Sequence, residues 1–245
     1  MSSFAQAATF TPTEVLQSTP VQQAPNGLCY ASTGQISLSA SELERLIAAV
    51  PAVIAGALKK QAFYFVPLAL VRDDQTLIAE RYDIELTEEA VCHRNYSAGG
   101  AECVFLSTRL SDDRFSIAFE FFINVAHLFV EATGFSQEFA DLVWSQAQAG
   151  VKGETSLDAH ELRRLAISDS PEAGKAKTEY LQAAFADIIA IYLLSLYMDF
   201  DYYELRETDY PLLASPALAE RLRKINDLFP APPSFEFNIY YKRRT

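Results

Sequence analysis

Five polar side chains recur along one side of a segment that is otherwise almost entirely apolar. They are Ser116, Glu120, Asn124, His127 and Glu131, within residues 115–133. Steps of four, four, three and four residues place them on one face of a helix. Carboxylate and imidazole groups on one face can bind metal ions or transfer protons. The stripe therefore predicts either a site in a cleft or a narrow solvent-facing line on a buried helix.

A second apolar helix, predicted from Pro171 to about Met198, carries one acid, Asp187. Glu120, His127 and Asp187 are the candidate catalytic residues, and Asn124 and Glu131 are candidate binding residues beside them. Di-iron bundles place a His three residues after a Glu on two helices, whereas here His127 precedes Glu131 by four. The residues therefore predict no metal and no cofactor.

The order of elements around the first helix has a counterpart in zinc enzymes. The segments concerned are a strand over 103–107, a turn at 111–113, helical segments at 118–123 and 186–190, and a later stretch from Tyr210 to Arg221. Over residues 100–225 the chain resembles gluzincin-type zinc metallopeptidases. In that family a helical His-Glu-x-x-His motif holds zinc, and a later helix supplies an acidic third ligand.

The resemblance places Glu120 at the general-base position and the zinc ligands at Phe119, Ile123 and Ala183. These three side chains cannot bind zinc, so nothing would activate a water molecule in the way that the peptidases do. The resemblance therefore implies a degenerate metallopeptidase-like fold that lacks its zinc ligands.

Cys29 offers a different chemistry. Gln23 lies six residues before it, which is similar to the spacing of the oxyanion-hole glutamine and nucleophilic cysteine in papain-like hydrolases. His93 or His127 would have to activate the thiol. The nucleophile of that family begins a long apolar helix, whereas Thr33-Gly34-Gln35 follows here. An idle thiol is the simpler interpretation.

A further candidate is the segment 199–210, which is both acidic and aromatic. Asp201, Tyr202 and Tyr203 are its candidate binding residues. Carboxylates attract the Arg and Lys side chains of a basic partner, and aromatic rings stack against them. The alternative is a solvated loop whose tyrosines lie against the domain.

Composition limits the classes of partner and location. The net charge is −12 and the basic residues cluster only at Lys242-Arg243-Arg244, so nucleic acid is not an expected partner. Three cysteines are too few for a disulfide scaffold, which favours the cytoplasm. Polar residues such as Glu120 and Asp187 interrupt both apolar helices, so no membrane span is expected.

The apolar pattern predicts an α+β protein, with a mainly helical second half packed on a small N-terminal sheet. Residues 1–30 are rich in Ser, Thr, Gln, Ala and Pro and are predicted to be a flexible arm. Residues 31–245 are predicted to be a single globular domain.

Local patterns add finer predictions. Ser41 and Glu44 predict a capping box at the start of a helix. Strands over 62–71 and 76–86 predict a hairpin, in which Pro67 marks an edge or a bulge. Residues 92–100 are predicted to be a loop.

The sequence thus predicts a non-catalytic, metallopeptidase-like protein that binds a small ligand or a protein partner. The alternative is a hydrolase or peptidase that uses Glu120, His127 and Asp187, or one that uses the Cys29 thiol.

Overall fold

The computed structural model describes residues 7–110, 113–205 and 210–240. It confirms an α+β protein, with two small sheets in the N-terminal half and helices in the second half. The chain divides into two compact units, Met1–Asn124 and Val125–Thr245. The single domain predicted over 31–245 stays a prediction. The described residues exclude Ser111-Asp112 of the predicted turn, residues 206–209 of the acidic aromatic segment, and the Lys242-Arg243-Arg244 tail.

The first unit holds the strands. They are β1 (Thr9–Phe10), β2 (Gln22–Gln23), β3 (Cys29–Ser32), β4 (Gln61–Val66), β5 (Leu68–Arg72), β6 (Gln75–Ala79), β7 (Ala90–Val91), β8 (His93–Ala98) and β9 (Ala101–Ser107). Its helices are α1 (Pro12–Ser18), α2 (Ala40–Ala48), α3 (Ala52–Ala57) and a 3₁₀ helix at Ile84–Glu89.

Helix α4 (Arg114–Thr133) contains the boundary between the units. The second unit continues with α5 (Gln137–Gln148), α6 (Leu157–Ala166), α7 (Ala173–Tyr197), a 3₁₀ helix at Tyr202–Leu205, and α8 (Ser215–Leu228). The bounds of α7 confirm the helix predicted from Pro171 to about Met198.

The larger sheet has the strand order β2-β3-β4-β9-β8. Its central strands β3, β4 and β9 are parallel, and β4 and β9 are mostly buried, which suits their apolar runs. On one face, Phe63 and Phe65 contact Phe121 of α4, with ring centroids 5.2 and 5.5 Å apart. On the other face, Tyr64 and Phe105 belong to a separate core.

Pro67 separates β4 from β5, and these two strands belong to different sheets. Proline has no N–H to donate to a strand ladder, so the chain leaves the larger sheet at this point. β5 then pairs with β6 across a turn in which Asp73 and Asp74 both have positive φ. The predicted hairpin is confirmed over 68–72 and 75–79. The longer strands predicted over 62–71 and 76–86 are wrong, because residues 61–66 form a separate strand and residues 84–89 form a 3₁₀ helix.

The loop predicted over residues 92–100 is wrong, because His93–Ala98 forms β8. This strand pairs antiparallel with β9 through a two-residue turn at Gly99-Gly100, where φ is 59° and 84°. The residues of β8 are mostly polar, so the sequence lacks the apolar alternation by which a strand is predicted. An edge strand that faces solvent does not need this alternation.

The N-terminal segment also differs from its prediction. The structure describes it from residue 7 onward, and there it forms β1, α1 and β2, so that it enters both sheets. Thr11 and Glu14 form a capping box at the start of α1, and Val15 is buried. Its apolar anchors are too few to give the periodic pattern by which longer elements are recognised.

The predicted cap of α2 is displaced by two residues. Ser39 and Glu42, instead of Ser41 and Glu44, form its capping box. The helix buries Leu43, Leu46 and Ile47. It therefore begins at the residue that places these three side chains in the core.

Gly34 permits a close approach between two backbone segments. Its φ is +71°, and an added Cβ would collide with the carbonyl oxygen of Glu80. The N–H of Gln35 donates to that same oxygen at 2.9 Å. A side chain here would therefore combine an unfavourable backbone conformation with a clash.

We expect Gly34→Ala to lower the free energy of unfolding by at least about 2 kcal/mol, measured by urea denaturation. Gly56→Ala is the matched control, since Gly56 lies in α3 with nothing within 4 Å of an added Cβ. Alanine is preferred over glycine in a helix, so the control should keep or gain stability. Equal losses at both positions would contradict this account of Gly34.

Candidate functional site

Glu120 of α4 contacts a histidine in the first unit. The Nδ1 atom of His93 lies 2.6 Å from Oε1 of Glu120. The Nδ2 atom of Asn124 donates to the same oxygen at 3.1 Å, and to the Glu120 carbonyl oxygen at 2.9 Å. These three residues form the His93–Glu120–Asn124 cluster.

Strand alternation and helix packing bring this cluster together. His93 of β8 is in register with Leu106 of β9, so its side chain lies on the face of the larger sheet that contacts Phe121. Glu120 precedes Phe121 in α4. The cluster therefore forms where the margin of the packed helix reaches the edge strand.

The cluster is partly open to solvent. The side chains of His93 and Glu120 are 40% and 24% exposed, whereas Asn124 is buried. A carboxylate at Nδ1 favours the tautomer that is protonated there, which leaves the Nε2 lone pair for a ligand or a proton. Within the described ranges, Nε2 has no hydrogen-bond partner. The arrangement can hold a polar ligand or accept a proton.

The other residues of the stripe lie outside this cluster. Ser116, His127 and Glu131 are exposed, and the Ser116 hydroxyl donates to Asp113 Oδ2 at 2.9 Å. Within the stripe, Glu120 and Asn124 therefore belong to the polar cluster, while the other three residues face solvent. A site in a cleft along the stripe stays a prediction.

Asp187 of α7 lies in the second unit and is partly buried. Its Oδ2 atom accepts a hydrogen bond from the Thr155 hydroxyl at 2.8 Å. Burial raises the pKa of Asp187, while hydrogen bonds from Ser156 and Thr155 and the charge of His127 oppose that rise. His127 and Asp187 therefore interact electrostatically within this unit.

A buried group of charges surrounds Glu154 in the second unit. Arg221 donates to both oxygens of its carboxylate, at 2.8 and 3.2 Å. Arg163 and the Tyr180 hydroxyl donate to Oε1 at 3.1 and 2.6 Å. Gln146 accepts a hydrogen bond from Nε of Arg221 at 2.8 Å. We call these five residues the Glu154 cluster.

The Glu154 cluster joins a loop to four helices. Arg163 lies on α6, Tyr180 on α7, Arg221 on α8 and Gln146 on α5. Burial and the Glu154 charge raise the pKa of Tyr180, so its hydroxyl keeps the proton that it donates. Glu154 and Arg221 have no exposed surface, and the cluster therefore serves the stability of the unit.

No sequence pattern marks Glu154 or Arg163, and only the family resemblance includes Arg221. The two partners Glu154 and Arg221 lie 67 positions apart. No local spacing links them, so only the packing of α6, α7 and α8 reveals the pair.

The acidic aromatic segment contains the 3₁₀ helix at Tyr202–Leu205. The N–H of Tyr203 donates to Asp201 Oδ1 at 3.1 Å. Asp201 and Tyr203 are exposed, whereas Tyr202 is partly buried and burial raises its pKa. Of the three candidate binding residues in this segment, Asp201 and Tyr203 are thus accessible to a partner.

The positions at which the resemblance places zinc ligands hold partly buried apolar residues, Phe119, Ile123 and Ala183. The ring of Phe119 stacks on that of Phe115, with centroids 6.0 Å apart. Among residues 7–110, 113–205 and 210–240, no three His, Cys, Asp or Glu side chains are grouped so as to hold a metal ion.

Cys29 begins a strand, β3, and not a helix. It packs against the core that contains Tyr64 and Cys103. His93 is on the opposite face of the same sheet, in register with Leu106. The His93 ring is therefore not placed to activate the Cys29 thiol.

Two helices, α4 and α7, are long and apolar enough to cross a membrane by length and composition. Within the folded chain, 50% of the most apolar window of α4 and 72% of that of α7 are buried. Core helices of globular proteins share these properties, so they are weak evidence for a span. The absence of a membrane partner stays a prediction.

Comparisons with protein-family models, with curated proteins and with solved structures find no match to this chain. The resemblance to gluzincins therefore depends on the motifs alone and stays a prediction.

We expect Arg221→Met to lower the free energy of unfolding by about 3–5 kcal/mol, because it removes the bidentate partner of a buried carboxylate. Lys224→Met on the same helix is the control. Lys224 pairs at 2.5 Å with Glu138, whose side chain is 71% exposed, so its loss should cost less than about 1 kcal/mol. Similar losses in the two variants, measured by urea denaturation, would contradict a stabilising role for the Glu154 cluster.

Asp187 should make stability depend on pH. Because its pKa is raised in the folded protein, the folded chain keeps this proton where the unfolded chain has lost it. The contribution of Asp187 to stability therefore falls as pH rises above its ordinary pKa of 3.8. Asp187→Asn removes the titration and keeps an acceptor for the Thr155 hydroxyl.

We expect the free energy of unfolding of Asp187→Asn, relative to the original protein, to increase between about pH 4 and pH 7. Asp141→Asn is the control, since Asp141 is exposed in α5. Parallel pH profiles for the original protein and Asp187→Asn would show that burial of this carboxyl group is not costly.

Proposed function

We propose that this protein is a non-catalytic binding protein that engages a small ligand or a protein partner through the His93–Glu120–Asn124 cluster. The observation that carries the proposal is the 2.6 Å contact between His93 Nδ1 and Glu120 Oε1 in a partly exposed setting. Such a contact orients an imidazole and a carboxylate and leaves both groups accessible to a ligand.

The chemistry of the cluster indicates the groups that it would bind. The Nε2 atom of His93 accepts a hydrogen bond in the tautomer that the carboxylate favours. The second carboxylate oxygen of Glu120 has no hydrogen-bond partner within the described ranges. Two acceptors side by side suit a ligand with hydroxyl, amide or ammonium donors.

The degenerate metallopeptidase interpretation is consistent with this role. Glu120 stands at the general-base position of the resemblance, between the apolar residues Phe119 and Ile123. The carboxylate that the enzymes use on a metal-bound water would here be held by His93 and Asn124. A chain of this kind would keep the fold and use the position for recognition.

A parallel screen of polar fragments and a phage-displayed library of random peptides tests the proposal. We expect bound members to lose at least about tenfold in affinity for Glu120→Gln and for His93→Gln, as lost hydrogen bonds to charged groups do. Glu131→Gln is the matched control on the same helix, because Glu131 is exposed, and it should bind as the original protein does.

Three results would contradict the proposal. The first is hydrolysis of a peptide substrate that disappears in Glu120→Gln. The second is binding of every selected ligand with the same affinity to the original protein, Glu120→Gln and His93→Gln. The third is a stoichiometric transition metal that is lost in His127→Ala, which would overturn the non-catalytic interpretation.

A further inference from the structure

The edges of the two sheets differ in length. β1, β2 and β7 have two residues each, whereas β8 has six. An edge strand presents unpaired N–H and C=O groups to any further strand, and proteins commonly keep such edges short. In the part of the chain that the structure describes, β8 is the one extended edge.

Hydrogen bonding between β8 and β9 alternates along the strand. The N–H of Ser107 donates to the Cys92 carbonyl oxygen at 2.9 Å, and the two-residue turn closes on the pair Ala98 and Ala101. Even-numbered residues of β8 therefore bond to β9. The backbone groups of His93, Asn95 and Ser97 point away from the sheet.

The side chains of these same three residues share a face with two carboxylates. His93 contacts Glu120 at 2.6 Å, and the Ser97 hydroxyl donates to Glu102 Oε2 at 2.6 Å. Asn95 lies between them and is exposed. His93 and Ser97, which contact the two carboxylates, are four residue steps apart along the strand, which is about 13 Å.

The positive charge of β8 is on the other face. Arg94 alternates with its neighbours, and its Nε atom donates to Thr76 Oγ1 at 3.1 Å. The outer margin beside His93, Asn95 and Ser97 therefore carries carboxylates without a nearby arginine of its own strand. The chain as a whole is also acidic, with a net charge of −12.

We infer that the occupant of this edge is an extended, basic peptide segment of a partner protein, which adds to β8 as an outer strand. Its backbone pairs with His93, Asn95 and Ser97, and its Arg or Lys side chains at alternate positions reach Glu120 and Glu102. This inference deepens the proposed function, on which it rests, by naming the class of partner. A second copy of the chain would bring two acidic edges together and is disfavoured by their repulsion.

An eight-residue peptide with Arg at alternate positions and Val or Thr between them is the probe, and the same peptide with Glu in place of Arg is its control. We expect the basic probe to bind in fluorescence anisotropy and the acidic one to bind at least about tenfold more weakly. The double variant Glu102→Gln, Glu120→Gln should weaken the basic probe at least about fivefold, while Glu131→Gln leaves it unchanged.

Backbone pairing has its own signature. N-methylation of the probe at alternate residues in one register should abolish binding, whereas N-methylation in the other register should be tolerated. Asn95→Pro removes an outward N–H without removing a hydrogen bond to β9, and we expect it to abolish binding of the basic probe. Asn95→Ala keeps the N–H and should bind as before, and thermal unfolding of both variants shows that the fold is retained.

Several outcomes would overturn the inference. They are no binding of the basic probe at about 1 mM, equal binding of both probes, equal effects of the two N-methylation patterns, and self-association through β8 that Asn95→Pro abolishes. Ligands that depend on Glu120 but show no preference for basic peptides would remove this inference and leave the proposed function standing. Loss of every dependence on Glu120 would remove the proposed function itself.

Discussion

The cost of taking a carboxylate out of water governs where this chain places its internal acids. Glu154 is fully buried, and Arg221, Arg163 and Tyr180 occupy both of its oxygens, as a buried charge requires. Asp187 has neutral hydroxyl partners, and burial raises its pKa although their hydrogen bonds oppose that rise. Glu120 has a third arrangement, because it stays partly exposed beside a histidine.

These arrangements distinguish the residues that stabilise the fold from those of the proposed binding site. A carboxylate whose oxygens are all engaged in a sealed interior has no capacity left for a ligand, so the Glu154 cluster belongs to the packing of its unit. Glu120 and His93 contact each other in a partly exposed setting, and each keeps an acceptor atom without a partner among the described residues. The proposed binding role of the His93–Glu120–Asn124 cluster depends on these remaining acceptors.

Patterns within a few residues of one another were readable from the sequence. The two long apolar helices, α4 and α7, were predicted close to their observed bounds. Contacts between distant residues were not readable. The polar strand β8 has no apolar alternation, so its histidine was not placed beside Glu120, and the pairing of Glu154 with Arg221 depends on the packing of separate helices. The spacing of Thr11 and Glu14 is that of a capping box, and it forms one at the start of α1. The surrounding residues are rich in turn formers, so this local pattern alone does not predict the helix.

The chain has three histidines, so side-chain ¹H–¹⁵N correlation spectra can follow each of them while a ligand is added. This measurement observes the proposed binding site directly. The account predicts that the neutral His93 ring in the free protein carries its proton on Nδ1. It also predicts that a ligand whose affinity depends on Glu120 shifts the His93 Nε2 resonance, while the resonances of His127 and His160 do not move. A proton held on Nε2 in the free protein, or a His93 resonance that does not move when such a ligand binds, would contradict it.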